Sequence, residues 1–208
     1  MIKYVIVLAG IASVVACPVL AKDLTIGLSG TVTSIDPHFY NASPNNSIAM
    51  QIFDRLTERT ADGQLVEGLA TKWESVSETK WRFTLREGVK WHDGKPFTSD
   101  DVVFTLGRAG SVPNSPGGFG GFMRNISSVE VDGDTAVIIN TKAPAPTLPG
   151  DLANIAIISR HAGEGADTAD YNSGKAAIGT GAFRFTTFKQ GIEVALERNS
   201  DWWGKKVT

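Results

Sequence analysis

From Lys80 to Leu85 the chain alternates without a fault, with Trp81, Phe83 and Leu85 on one side and Lys80, Arg82 and Thr84 on the other. Period-two alternation commits a segment to a strand with one buried face. Such a strand needs partners, and the chain supplies the turns to make them. Glu78-Thr79 turns a strand carrying Trp73 and Val76 into this one. Asp132-Gly133 joins Val129 and Val131 to the apolar run 136–139, a two-residue hairpin signal. Lys189-Gln190-Gly191 joins Phe183-Arg184-Phe185 to residues 192–196. Residues 22–28 alternate as well, through Leu24, Ile26 and Leu28, and read as a short first strand.

Helical spacing runs between these strands. Ile48, Ile52, Phe53 and Leu56 recur on one face, with Asn46 or Ser47 available as N-cap. Thr98 can cap a second helix, and Asp100 and Asp101 sit where the helix dipole favours negative charge. Val102, Val103 and Leu106 form its apolar stripe. Leu148 and Leu152 fit one short helix after Ala143-Pro144-Ala145-Pro146. Residues 155–158 are a buried apolar run, and residues 163–175 read as a polar loop. Strands and short helices are mixed, which argues α+β or mixed α/β rather than a tandem βαβ array.

Residues 1–21 read as an export signal. Lys3 supplies the positive start, residues 4–16 are almost all apolar, and Val19-Leu20-Ala21 offers small residues before a cut. The run is short of the about 20 apolar residues a membrane span needs. Cys17 follows Val14-Val15-Ala16, loosely as in a lipoprotein box, so lipid anchoring at Cys17 stands as a second reading beside cleavage after Ala21. With a single Cys and three His, an intramolecular disulfide and a Cys/His zinc cage are excluded. The formal net charge of -2 and the absence of a basic cluster exclude a nucleic-acid partner.

Catalysis finds little support. His92-Asp93 suggests a base with its orienting carboxylate, but no GxSxG elbow supplies a nucleophile, and Asp93-Gly94 equally reads as a turn. His38, His92 and His161 lack metal-pair spacing. No cofactor and no metal site are expected. The Gly-rich stretch 117–122 lacks the ending of a phosphate loop, yet with Phe119 and Phe122 it can line a ligand groove. The loop Asp36-Pro37-His38-Phe39-Tyr40-Asn41 gathers polar and aromatic groups. It reads either as ligand-contacting, or as a helix cap with aromatics sealing the core.

The stretch from Trp81 to Phe104, with Arg86-Glu87-Gly88-Val89-Lys90-Trp91-His92-Asp93-Gly94-Lys95-Pro96-Phe97-Thr98-Ser99-Asp100-Asp101 inside it, resembles one family's signature. That family is the extracytoplasmic solute-binding proteins of ABC transporters for peptides, nickel and related solutes. Further blocks agree in order: Ile35-Asp36-Pro37-His38, Phe53-Asp54-Arg55-Leu56, Leu69-Ala70-Thr71-Lys72-Trp73, Ile178-Gly179-Thr180-Gly181-Ala182-Phe183, and Arg198-Asn199-Ser200-Asp201-Trp202-Trp203-Gly204.

The resemblance implies a periplasmic-binding-protein-like fold of two lobes, of which this chain carries only part of lobe I. Residues 22–47 plus 176–208 would form an incomplete core portion, and residues 48–175 an inserted small subdomain. It implies capture of a small solute such as a peptide in the periplasm and delivery to an inner-membrane ABC permease, without enzymatic chemistry. Because family members run much longer, the chain reads as a fragment, and a remnant that no longer captures solute is the alternative. An exposed, pairing-prone sheet edge is expected. On this lobe the family's contacts come from the loop after the first strand, where Phe39, Tyr40 and Asn41 stand. Tyr40 ranks first, because nickel-binding relatives place a ligand-contacting Tyr after the same Pro-His pair. Phe119 and Phe122 follow.

Overall fold

The computed structural model describes residues 23–205. The export signal read into residues 1–21, with Cys17, lies outside the described residues. The first strand expected at 22–28 does not form. Residues 23–28 belong to no ladder, and Leu24 and Ile26 are 82% and 71% exposed. Alternation makes an amphipathic edge, but a strand exists only where backbone hydrogen bonds find a partner, and no described strand pairs here.

The first helix, α1 (Ser43–Ile52), starts earlier than the capping residues suggest: its N-cap is Ala42, with a proline in the first turn. Pro44 is pre-set for that position. Asn46 and Ser47 lie inside the helix instead, Asn46 Nδ2 donating to Asn41 Oδ1 at 2.8 Å and Ser47 Oγ to the Ser43 carbonyl at 2.9 Å. Asn45 accepts from the Thr33 N–H at 3.0 Å and donates to Thr33 Oγ1 at 3.0 Å. A small hairpin follows, β1 (Thr57–Arg59) with β2 (Leu65–Glu67), closing through Gly63 at φ 83°.

Next come β3 (Ala70–Ser77) and β4 (Lys80–Leu85), then α2 (Ser99–Ala109) and the single turn α3 (Gly120–Met123). The hairpin β5 (Ile126–Val131) and β6 (Ala136–Thr141) completes a four-stranded antiparallel sheet, ordered β3-β4-β6-β5. The faultless alternation thus sits inside the sheet, where both neighbours use its backbone. Phe83 pairs with Trp73 on one side and Val137 on the other, and both Phe83 and Leu85 are buried. Trp81, nearer the open end, is only half-buried.

α2 packs on β5 and β6. Its start is tied down by Asp101, which accepts from the Thr98 N–H at 2.9 Å, the Trp91 indole N–H at 3.2 Å and the Arg160 N–H at 2.8 Å. The remaining helices are α4 (Leu148–Leu152), α5 (Arg160–Gly163) and α6 (Thr168–Asn172). α6 lies in the stretch expected to be a polar loop. Asp167 and Asp170 cap it reciprocally, and Tyr171, the one large apolar body in that stretch, is fully buried. The chain ends in the hairpin β7 (Phe183–Lys189) and β8 (Glu193–Arg198).

Two apolar clusters result. One unites the sheet, α2 and α4 through Phe83, Trp91, Leu106, Val137 and Leu152. The other joins Ile52, Phe53, Ile158, Tyr171 and Ala177, with Phe185 and Leu196 of the last hairpin packed against it. The Gly179-Thr180-Gly181 loop lies backbone to backbone on the end of α1. The Gly181 N–H donates to the Ile52 carbonyl at 2.9 Å. A Cβ on Gly179 would stand 1.8 Å from that same oxygen.

Candidate functional site

The two loops singled out in the sequence meet. The Asn41 N–H donates to the Gly117 carbonyl at 2.8 Å, and Tyr40 bridges Gly117 as a parallel pair. Ser115 Oγ donates to the Phe39 carbonyl at 2.5 Å. The fit is close: a Cβ on Gly118 would stand 3.0 Å from Ser115 Oγ, so that side chain would have to give by a few tenths of an ångström. The stretch 115–118 therefore runs as a second rail beside residues 38–41.

A buried charge network holds the first rail from below. Asp36 and Arg108 of α2 form a two-pronged pair at 2.9 and 2.6 Å. Asp36 also accepts from Thr168 Oγ1 at 2.9 Å and from the His38 N–H at 3.1 Å. It caps no helix, contrary to one of the two readings of this loop. Burial alone would raise the Asp36 carboxyl, but the hydrogen bonds and charge of Arg108 outweigh it and hold the group below the usual carboxylate range.

His38 is fully buried between Arg108 and the Ala156 carbonyl. Its Nε2–H donates to that carbonyl at 2.8 Å, and Nδ1 accepts from Arg108 at 3.2 Å. Burial first, and the Arg108 charge second, push its pKa down to about 4, so the ring is neutral. Beneath, the Arg108 guanidinium stacks 4.7 Å over Tyr171. Burial pushes the Tyr171 phenol up.

An open groove of about 720 Å³ borders these rails, lined by Asn41, Gly118, Gly121, Phe122, Arg124, Asn125, the segment 144–148 and Asp151. Of the five candidate residues, Asn41 and Phe122 line it. Phe39 and Tyr40 stand half-buried on the adjoining rail. Phe119 points the other way: it is 2% exposed, with its ring 6.2 Å from that of His38, edge-on. Phe119 and Phe122 are in ring contact at 6.3 Å, so the buried ring backs the one at the groove.

Arg124, Asp151 and the 144–146 segment escaped the sequence reading as groove residues. The only available signals were a lone cation after the Gly-rich stretch and the rigid Ala-Pro-Ala-Pro. A second depression, of about 690 Å³, lies between residues 88–94 and 199–203.

His92 and Asp93 part company. The Gly179 N–H donates to His92 Nδ1 at 3.2 Å, and its Nε2–H donates to the Gly181 carbonyl at 3.0 Å. Asp93 instead accepts from His161 Nε2 at 2.7 Å, and His161 Nδ1 accepts from Ser159 Oγ at 2.7 Å. This Ser-His-Asp chain offers no accessible nucleophile. Ser159 is 2% exposed, and its oxygen caps α5 by accepting from the Ala162 N–H. Among the described residues, no three His, Cys, Asp or Glu side chains gather as metal ligands. No described helix is long and apolar enough to cross a membrane.

The chain matches the family model for bacterial extracellular solute-binding proteins, family 5, over residues 64–208. It is 31% identical over 203 residues to the glutathione-binding protein GsiB of Pectobacterium atrosepticum, covering 95% of this chain and 39% of that protein. It is 30% identical over 224 residues to the dipeptide-binding protein of Escherichia coli, covering 94% and 41%. Among solved structures, NikZ of Campylobacter jejuni in complex with Ni(L-His) superposes with a TM-score of 0.74 at 28% identity, over 84% of this chain and 35% of that one. Burkholderia pseudomallei OppA superposes with a TM-score of 0.76 at 19% identity, a likeness of fold, over 85% and 38%. The chain belongs to the bacterial extracellular solute-binding proteins of family 5. It spans about two fifths of the length of the curated relatives it matches.

Proposed function

We propose that this chain is the front portion of the solute-capturing component of an ABC importer. It takes a small solute, an oligopeptide or a molecule of similar chemistry, in the periplasm and delivers it to the inner-membrane permease. Family membership supports this reading. So do the named relatives, which bind glutathione or a dipeptide, and the neighbour holding Ni(L-His).

One observation supports this reading of the site: the two loops picked out by sequence are joined backbone to backbone beside an open groove. Tyr40, Asn41 and Phe122 are its proposed contacts, with Phe39 and Phe119 as backing. No bond is made or broken. The solute is held by hydrogen bonds and aromatic surface, and closure around it is the state a permease would read. We further propose residues 22–47 with 176–208 as the core portion and 48–175 as an inserted subdomain. The two apolar clusters support such a division, although α1 and residues 156–171 pack with the core portion.

Titration calorimetry on the full-length gene product tests the reading, with alanyl-alanine, glutathione and Ni(II)-histidine as probes. Uptake of at least one is expected, and Tyr40→Ala should weaken it by roughly tenfold while leaving the melting temperature in place. A protein that melts cooperatively and takes up none of the three would sink the reading. A Tyr40→Ala variant that loses stability but not affinity would reassign Tyr40 to the core.

A further inference from the structure

We propose that Arg124 is the anion anchor of the groove and that the captured solute presents a free carboxylate to it. The proposal rests on the reading of the groove as the solute surface. Arg124 follows α3 directly and is exposed at the groove wall. Its backbone carbonyl is occupied, accepting from Lys142 Nζ at 2.8 Å, but among the described residues its guanidinium has no ion pair and no hydrogen bond.

That sets it apart among the described arginines. Arg82 is paired with Asp132, Arg86 with Glu67 and Arg108 with Asp36, and the others are likewise engaged. The one other charged residue lining the groove, Asp151, already accepts from Thr147 Oγ1 at 3.2 Å. Thr147 is a neutral donor and leaves the Asp151 charge in place, so the guanidinium is the one cation among the residues lining the groove and the group an anion would meet there.

The amide of Asn41 adds to it. Its oxygen accepts from Asn46 Nδ2 at 2.8 Å, which leaves its own N–H donors for a ligand. A planar fork of N–H donors matches a carboxylate in two-pronged fashion, and donors without a partner favour an acceptor-only group. A solute without an anionic group would offer this fork only neutral acceptors, which hold it more weakly.

The test compares an acid with its own amide. Alanyl-alanine and alanyl-alanine amide are titrated into the full-length gene product, wild type, Arg124→Gln and Arg124→Lys. For wild type, the amide should bind roughly tenfold or more weakly than the acid, the worth of a charge-assisted hydrogen bond. Arg124→Gln should lose about that factor for the acid and change little for the amide, while Arg124→Lys restores part of the loss. Glutathione against its diethyl ester, and histidine-Ni(II) against histidinamide-Ni(II), repeat the comparison. They distinguish a peptide terminus from a chelating amino acid as the source of the carboxylate. Equal binding of acid and amide by wild type overturns the proposal and leaves the groove reading standing. Equal weakening of both probes by Arg124→Gln does the same. Failure of every probe to bind removes the groove reading and the proposal with it.

Discussion

His38 stands in a loop that the sequence reads either as ligand-contacting or as a helix cap, and the structure makes it a spacer in a buried charge network. The ring is held neutral because protonation would place a cation against Arg108 in a dry site. The sign of its effect on stability follows. Its folded pKa of about 4 lies below the ordinary 6.5, so the unfolded chain binds the proton first as pH falls. Stability from this group is full above about pH 6.5 and drains away toward pH 4, by about 3 kcal/mol in all. Asp36 loses its stabilising contribution further down, as pH falls through its lowered folded pKa. Urea denaturation of wild type and His38→Gln across pH 7 to pH 4 checks this. The variant should show a flatter decline, because glutamine can still donate to the Ala156 carbonyl but takes up no proton. Parallel declines would show that His38 does not carry the acid sensitivity.

At the level of elements, Asp101 shows how far a local motif reaches. The sequence marks it as a helix-start carboxylate, and it is one. It also gathers the Trp91 indole and the Arg160 backbone, residues on two other segments. Thr98→Ala should therefore cost about 1 kcal/mol, as a lost cap does. Asp101→Ala strands two further donors, the buried Trp91 indole and the partly buried Arg160 N–H, and should cost about 3 kcal/mol. Chemical denaturation of both variants checks the contrast; equal losses would reduce Asp101 to an ordinary cap. Gly179→Ala makes the same point for a loop. Its Cβ would meet the backbone oxygen of Ile52, so a loss of about 3 kcal/mol or more is expected, against little change for Gly121→Ala, whose Cβ meets nothing. These elements divide what the sequence can and cannot tell. Hairpins and caps are legible, since alternation, turn chemistry and capping act within a few residues: β3 to β6 and α2 stand where the pattern puts them. α6 was not legible, because its one large apolar residue, Tyr171, is recruited by Arg108 from 63 positions away in a pairing that no local pattern encodes. The groove was half legible. Its aromatic and Gly-rich rails announce themselves, whereas Arg124 and Asp151 join it only through the fold.

For the molecule as a whole, the unpaired segment 23–28 weighs most. Leu24, Ile26 and Leu28 keep the composition of a buried strand face while standing exposed, and Phe183 and Ile192 of the last hairpin are exposed as well. Backbone donors and acceptors left open beside apolar side chains are the usual template for association through strand edges. The cost of exposing that surface falls on solubility rather than on folding, because neither apolar cluster includes Leu24, Ile26 or Leu28. Substitution there should therefore separate the two properties. The purified 208-residue chain should associate more strongly as its concentration rises, seen by sedimentation velocity. Ile26→Lys combined with Leu24→Thr should suppress that association while shifting the melting temperature by no more than about 2 °C, as surface changes do. If the double variant instead melts far below wild type, the segment is part of the core of this chain, and its exposure does not describe the molecule in solution.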